Sequence, residues 1–293
     1  NTSTDFRQEK TTQIKNKIYQ LYSGNSDMKT FIDGNLSDIN NGSINENNKN
    51  AMDELLSEQL FRLSYWKVGN EELNYRRFFT VNSLICLRME NKDVFDYAHA
   101  EMLKYYEEGV ITGFRIDHID GLYSPVDYLK KLRKKAPDAY IVVEKILANN
   151  ENLPADWPVE GTTGYDFVNY LNGLFVDTSQ EKKFKRVYKS FSKKDHEFSE
   201  LVAAKKRLFM GRHMAGDIDN LALTLKRIFT RSIEGRDATM YGIKRALVEV
   251  MAFFPVYRTY AGRNGLTDQD KKYMAEAFEK ARNSDHGLFN EIG

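Results

Sequence analysis

Two acidic residues near the middle of the chain, Asp117 and Glu144, are the strongest candidates for chemistry. Asp117 follows the short apolar run at 113–116, and Arg115 stands two residues before it. The permanent charge of the guanidinium favours the ionised carboxylate of Asp117. Glu144 ends a second apolar run, which lies one strand-helix-strand unit later. Apolar surroundings favour the neutral form of its carboxyl group.

This pair of carboxyl groups suits glycosyl transfer with retention of configuration. In that mechanism one carboxylate attacks the anomeric carbon while a second carboxyl group, roughly 5 Å away, protonates the departing oxygen. Asp117 is therefore predicted to be the nucleophile and Glu144 the acid/base. The residues also allow a plainer interpretation, in which Arg115 and Asp117 form a structural ion pair and Glu144 is a surface residue at a strand end.

The elements that position these residues are predicted from the apolar pattern. The runs at 110–116 and 140–147 indicate strands, and an amphipathic helix between them begins with Ser124 as N-cap and Pro125 at the first helical position. A crossover of this kind predicts parallel strands. Carboxylates at the carboxyl ends of such strands are typical of the active site of a (β/α)8 barrel.

Five ordered blocks resemble maltooligosyltrehalose synthases, which belong to the α-amylase superfamily of glycoside hydrolases. The likeness runs from about Leu55 to Arg282. It implies an α/β fold, a partial (β/α)8 TIM-barrel catalytic domain with a largely helical insertion. The implied activity rearranges the reducing-end α-1,4 bond of a maltooligosaccharide into an α,α-1,1 bond, without a metal or cofactor. The blocks lie at 65–79, 113–122, 143–147, 157–167 and 254–260.

The resemblance also implies an organisation in four segments. They are an N-terminal helical segment with an Asn-rich loop (1–66), a barrel segment with the catalytic strands (67–178), a helical insertion (179–250) and a return to the barrel (251–293). Residues 23–50 are predicted to be a loop because they are dense in Asn, Ser, Gly and Asp. No His-Asp pair on an apolar run follows Tyr260, so a third carboxylate of the superfamily is expected outside this chain, leaving the fragment inactive alone.

Candidate substrate-binding residues combine aromatic rings with hydroxyl-binding polar groups, as sugar sites do. Phe79 is expected in the core. His118 is predicted to line the site and bind a sugar hydroxyl, although a hydrogen-bonded structural role is also open. The full predicted set is Tyr75, Arg76, Arg77, Arg115, His118, Lys145, Tyr165 and Asp166, and no metal ligands are predicted.

The net charge and the composition of the chain argue against some classes of binding partner. Lys+Arg 43 against Asp+Glu 42 gives a formal net charge of +1, which argues against nucleic acid or an anionic membrane as partner. Basic residues alternate with aromatics in 181–250, but they follow a helical period, which indicates solvated helix faces. A cytoplasmic enzyme acting on a maltooligosaccharide is expected. The alternatives are a 4-α-glucanotransferase or other amylase-like glycosidase, and an inert or carbohydrate-binding fragment.

Overall fold

The computed structural model describes residues 2–40, 46–148, 151–195, 197–233, 235–262 and 265–284. Two compact units divide the chain, one at 1–65 and the other at 66–293. No helix among these described residues is long and apolar enough to cross a membrane.

The first unit contains helices where a loop was predicted. Residues 26–40 form a helix, so the loop prediction for 23–50 is wrong there, and residues 41–45 lie outside the described part. Asn25 explains the difference, because its side chain accepts hydrogen bonds from the amides of Asp27 and Met28 and so caps the new helix. The helices are α1 (Thr2–Gly24), α2 (Ser26–Asn40) and α3 (Glu46–Ser57).

The second unit contains a three-stranded parallel sheet, in the order β3 (Gly113–Ile116), β4 (Tyr140–Val143) and β5 (Gly161–Thr162). The predicted strand-helix-strand unit is confirmed, since α5 connects β3 to β4 and the two strands pair in parallel. Gly113 permits this pairing, because a Cβ on it would lie 2.3 Å from the carbonyl oxygen of Tyr140. The elements are β3 (Gly113–Ile116), α5 (Pro125–Lys135), β4 (Tyr140–Val143) and β5 (Gly161–Thr162).

The main hydrophobic core lies between this sheet and helices α4 (Lys92–Glu107) and α5. One face of α5 carries Leu129 and Leu132, both fully buried, while its last turn is basic and faces away from the core. They pack with Phe95 of α4 and with Ile141 and Val143 of β4. Burial of side chains of this size typically stabilises a fold by about 1.5–3 kcal/mol each, which fixes the strand ends that carry Asp117 and Glu144.

An ion pair links helices α8 (Phe198–His213) and α10 (Met240–Ala252). Arg207 of α8 makes a bidentate ion pair with the buried Glu249 of α10, at 2.7 Å for both hydrogen bonds, and this joins two helices of the predicted insertion. The remaining elements are the antiparallel pair β1 (Arg77–Phe78) and β2 (Val81–Ile85), and helices α6 (Tyr165–Gly173), α7 (Glu181–Ser192), α8 (Phe198–His213), α9 (Ala215–Phe229), α10 (Met240–Ala252) and α11 (Asp268–Arg282).

The described residues form no closed barrel. Their sheets have two and three strands, and most of the described chain is helical. Helices α7 to α10 cover most of the described residues of 181–250, in agreement with the sequence pattern. The partial (β/α)8 barrel remains a prediction, supported here only by parallel strands with a helical crossover.

Candidate active site

The two candidate carboxylates lie at the carboxyl ends of adjacent parallel strands. Asp117 directly follows β3 and Glu144 directly follows β4. The backbone ladder continues to this level, because the amide of Glu144 donates to the carbonyl of Ile116 at 2.8 Å. The strand geometry therefore brings together two carboxyl groups that are far apart in sequence, as expected.

Arg115 contacts both carboxyl groups. Its Nη1 lies 2.6 Å from Asp117 Oδ1, and its Nη2 lies 3.8 Å from Glu144 Oε1. The hydrogen bond to Asp117 raises the pKa of the Arg115 guanidinium, and the charges of Asp117 and Glu144 act in the same direction. Asp117 is 58% exposed and Glu144 23% exposed, so both carboxyl groups are open to a ligand.

His118 holds Glu144 through its backbone rather than its ring. The residue adopts a left-handed conformation, with φ 46°, and its amide donates to Glu144 Oε2 at 2.9 Å. Its ring lies against Phe78 and Phe79, at centroid distances of 5.1 and 4.7 Å. A Cβ on Gly121 would lie 2.4 Å from the ring, so only glycine fits beneath it.

Phe79 is not a core residue, which corrects the sequence-based expectation. It is 59% exposed and has φ 49°, because it lies in the turn between β1 and β2, directly after the register shift between Arg77 and Phe78. A hydrophobic residue at such a turn cannot follow the inward alternation of a strand. Its ring instead covers the ring of His118 on one side.

Phe79 also lines a cavity of about 250 Å³. The predicted substrate-binding residues Tyr75, Arg76 and Arg77 all line it. The Tyr75 hydroxyl donates to the Asn82 carbonyl at 2.7 Å, and Arg77 donates to the Asn82 side chain, so the hairpin holds both in place. The other lining residues are Gly69, Asn70, Glu71, Leu73, Met214, Gly216 and Asp217.

The amino-terminal end of α9 forms the opposite wall of this cavity through Met214, Gly216 and Asp217. A Cβ on Gly216 would lie 2.4 Å from the carbonyl oxygen of Glu71. This close approach lets a helix of the predicted insertion contact the segment that precedes the hairpin. Gly216 is a residue that the sequence pattern did not single out.

The third strand end adds Tyr165 and Asp166. Tyr165 is 43% exposed and lies near enough to Arg115 to contribute to its raised pKa. Asp166 accepts a hydrogen bond of 2.6 Å from the Thr162 hydroxyl, which fastens the turn into α6. One carboxylate oxygen of Asp166 thus takes part in a structural hydrogen bond, while the side chain of Tyr165 is exposed enough to contact a ligand.

Lys145 does not bind substrate from its position in this structure, which corrects another expectation. Its side chain is fully buried, with Nζ 3.2 Å from Asp120 and 2.6 Å from Glu151. A buried ammonium group is tolerated only with such partners. Because Lys145 follows Glu144 directly, the ion pairs anchor the backbone that carries the proposed acid/base.

The block at 254–260 makes hydrogen bonds to the loop that follows Asp117. Arg258 Nη1 donates to the carbonyls of Asp120 and Leu122 at 2.8 and 2.6 Å. The Tyr260 hydroxyl donates to Asp120 Oδ1 at 2.5 Å, and burial followed by this hydrogen bond raises the pKa of Tyr260. The sequence flagged this block through the family likeness but assigned it no role.

The described residues contain no group of three His, Cys, Asp or Glu side chains that could hold a metal ion. The arrangement instead offers one exposed carboxylate, one half-buried carboxyl group and a guanidinium between them. Such a set can attack an anomeric carbon and transfer a proton.

Part of the chain is similar in sequence to known proteins. No protein-family model matches the chain. A Mycobacterium tuberculosis protein named as a maltooligosyl trehalose synthase is 47% identical over 124 residues. Over this matched part, the chain is homologous to maltooligosyltrehalose synthases. The match covers 42% of this chain and 16% of the relative.

The chain is also similar in three-dimensional structure to solved maltooligosyltrehalose synthases. The enzyme from Arthrobacter ramosus matches with TM-score 0.70 and 32% identity, over 82% of this chain and 30% of that chain. A structure titled as a hypothetical maltooligosyl trehalose synthase from Sulfolobus tokodaii matches with TM-score 0.63 and 34% identity, over 79% of this chain and 29% of that chain. The chain thus spans about a third or less of the maltooligosyltrehalose synthases it matches.

Proposed function

We propose that this chain supplies two carboxyl groups to an intramolecular transglucosylation that forms maltooligosyltrehalose. The observation that carries the proposal is Arg115, which contacts both Asp117 and Glu144 at adjacent strand ends. Similarity to maltooligosyltrehalose synthases supplies the substrate, a maltooligosaccharide, and the enzyme class, a glucan glucosylmutase.

In the proposed reaction, Asp117 attacks the anomeric carbon of the penultimate glucose and breaks the bond to the reducing-end glucose. Glu144 donates its proton to the departing oxygen. The released glucose turns within the site and attacks the glycosyl-enzyme intermediate through its own anomeric hydroxyl, with Glu144 now accepting the proton. The product carries an α,α-1,1 bond, and Asp117 is regenerated.

Rearrangement instead of hydrolysis requires that the released glucose stays bound and that water is kept away. The cavity beside Phe79 offers such a place, because Tyr75, Arg76 and Arg77 line it next to the His118 ring. We place the reducing-end glucose between this cavity and Tyr165. A third carboxylate, expected from the superfamily likeness, completes the proposed site from outside this chain, so that the chain alone has little activity.

Conservative replacement of each carboxyl group tests the proposal. In the complete gene product, Asp117→Asn and Glu144→Gln should each reduce formation of the α,α-1,1 product from maltopentaose by about a thousandfold or more, because amides neither attack nor donate a proton in these steps. The surface variant Glu108→Gln, at the end of α4, serves as the matched control and keeps full activity. A carboxyl variant that retains a tenth of the activity contradicts its assigned role.

A further inference from the structure

Thr163 lies at the level of Glu144, one residue beyond the strand that precedes it. The register pairs Ile116 with Val143 and Val143 with Thr162. The ladder continues past these pairs, because the Thr163 amide donates to the Val143 carbonyl at 3.0 Å. Neighbouring strands lie about 4.8 Å apart, so Thr163 is the nearest neighbour of Glu144 on the β5 side.

The Thr163 hydroxyl oxygen is buried and has no hydrogen-bond partner in the described part of the chain. Its neighbour Thr162 differs, because that hydroxyl donates to Asp166 at 2.6 Å and accepts from the Gly164 amide at 3.2 Å. Leaving a buried hydroxyl without a partner destabilises a fold, and native structures seldom tolerate it. This donor therefore calls for an acceptor close by.

By strand register, the Glu144 carboxyl group is the acceptor at the same level of the sheet. Its Oε2 accepts from the His118 amide at 2.9 Å, and its Oε1 lies 3.8 Å from Arg115 Nη2. Asp117 and Tyr165 at this edge both act on Arg115. His118 and Asp166 are further titratable residues there, following β3 and β5. A carboxylate has about four lone-pair sites, so a further donor can be accommodated.

We propose that Thr163 is a positioning residue, whose hydroxyl donates a hydrogen bond to the Glu144 carboxyl group after rotation about χ1. The His118 amide, Arg115 and Thr163 then approach the carboxyl group from three sides and fix its plane. Because a hydroxyl donor favours the charged form, Thr163 stabilises Glu144 after its proton has gone to the leaving oxygen. This consequence for the reaction rests on the proposed function, whereas the hydrogen bond itself does not.

The test uses replacements that change only the hydroxyl. Thr163→Val keeps the shape of the side chain and removes the donor, while Thr163→Ser keeps the donor. The readout is the pH titration of the Glu144 side-chain carboxyl carbon, monitored by NMR on the 293-residue chain without substrate. The Glu144 signal is assigned by its absence from the spectrum of Glu144→Gln. Thr163→Val should raise the midpoint of this titration by about one pH unit, the size expected for one hydrogen bond to a charged group. Thr163→Ser should restore it.

Thr162→Val is the matched control. It removes the hydrogen bond to Asp166 and should lower the melting temperature while leaving the Glu144 midpoint unchanged. Thr163→Val should lower the melting temperature only at pH values where Glu144 is ionised, because the hydroxyl it removes has no other partner in the described residues. An unchanged Glu144 midpoint in Thr163→Val overturns the inference. A shifted midpoint in a protein that forms no α,α-1,1 product supports the inference and contradicts the proposed function alone.

Discussion

At the residue scale, the position of Glu144 depends on the backbone of His118. The left-handed conformation of His118 turns its amide toward the Glu144 carboxyl group, while its ring is held by Phe79 and Gly121. Arg115 contacts the other oxygen of the same carboxyl group. One carboxyl group is thus oriented by a strand residue and by the first residue of the following turn.

Gly121→Ala tests this arrangement. The added methyl group would lie 2.4 Å from the His118 ring, which also contacts Phe78 and Phe79, so the ring and the chain around it must shift. We expect the His118 amide to leave Glu144 and the rate of rearrangement to fall by about tenfold to a hundredfold, since small displacements of catalytic groups have effects of this size. The rate on maltopentaose and the melting temperature are measured together.

Gly173→Ala is the control, because nothing lies within 4 Å of a Cβ at the end of α6. It should retain full activity. If Gly121→Ala is as active as Gly173→Ala, then the contact between Gly121 and His118 does not position Glu144.

The sequence was enough to predict that Asp117, Glu144 and Arg115 share one site. The short apolar runs locate the strand ends, and the spacing of Arg115 and Asp117 indicates their ion pair. It could not predict the roles of His118 and Lys145. The His118 amide reaches Glu144 because His118 has a left-handed backbone conformation, which the pattern of side chains does not predict. Lys145 is buried by partners at Asp120 and Glu151, and only the folded loops bring those carboxylates to it.

At the element scale, α9 contributes a wall of the cavity because its amino-terminal end approaches the segment 69–73. Gly216 permits a separation at which any side chain would strike the Glu71 carbonyl oxygen. A carbonyl group in the main chain cannot rotate away without moving its whole segment. The packing of the helical part against the hairpin is therefore sensitive to a single methyl group.

Gly216→Ala should lower the free energy of unfolding of the chain by about 1–3 kcal/mol, the usual cost of overpacking. It should also weaken maltopentaose binding, because the displaced helix lines the cavity. Urea unfolding and calorimetric titration measure the two effects. Gly211→Ala in α8 has open space around its Cβ and should be neutral or stabilising by up to about 1 kcal/mol.

The contrast between α5 and α2 shows what sequence patterns determine. The apolar face of α5, with Leu129 and Leu132, predicted a buried helix because its period matched a core. Helix α2 was missed because Asn, Ser and Gly suggested a loop, whereas Asn25 acts as a cap and the polar residues face water. Composition does not distinguish a capped polar helix from a loop, since both leave their side chains solvated.

At the scale of the whole molecule, the buried Tyr128 and the partly buried Tyr260 make the free energy of unfolding depend on alkaline pH. Burial raises the pKa of Tyr128 to about 12. Burial and the hydrogen bond to Asp120 also raise the pKa of Tyr260. Below pH of about 10 both are protonated in the folded and the unfolded chain, so their contribution is fully present. Above that pH the unfolded chain loses these protons first, which favours unfolding.

The free energy of unfolding should therefore fall as pH rises from about 10 to about 12, by up to about 1.4 kcal/mol per pH unit for each tyrosine. Tyr260 is partly solvated and should contribute less. Urea titrations across this range measure the slope. Tyr128→Phe and Tyr260→Phe together should flatten it, while Tyr97→Phe, at a position that is 88% exposed, should leave it unchanged.

The proposed rearrangement is also a property of the whole molecule, because it requires the strand ends and the cavity to act on one sugar chain. A substrate with a methyl group on its reducing-end oxygen should not react, since that oxygen can no longer attack. Tyr165→Ala should raise the share of free glucose among the products, because water reaches the glycosyl-enzyme intermediate more readily.

Product chromatography of the complete gene product on maltopentaose tests the central claim most directly. The proposal predicts one non-reducing product of unchanged size, little free glucose, and loss of that product in Asp117→Asn. A ladder of longer and shorter maltooligosaccharides would contradict it and indicate a 4-α-glucanotransferase.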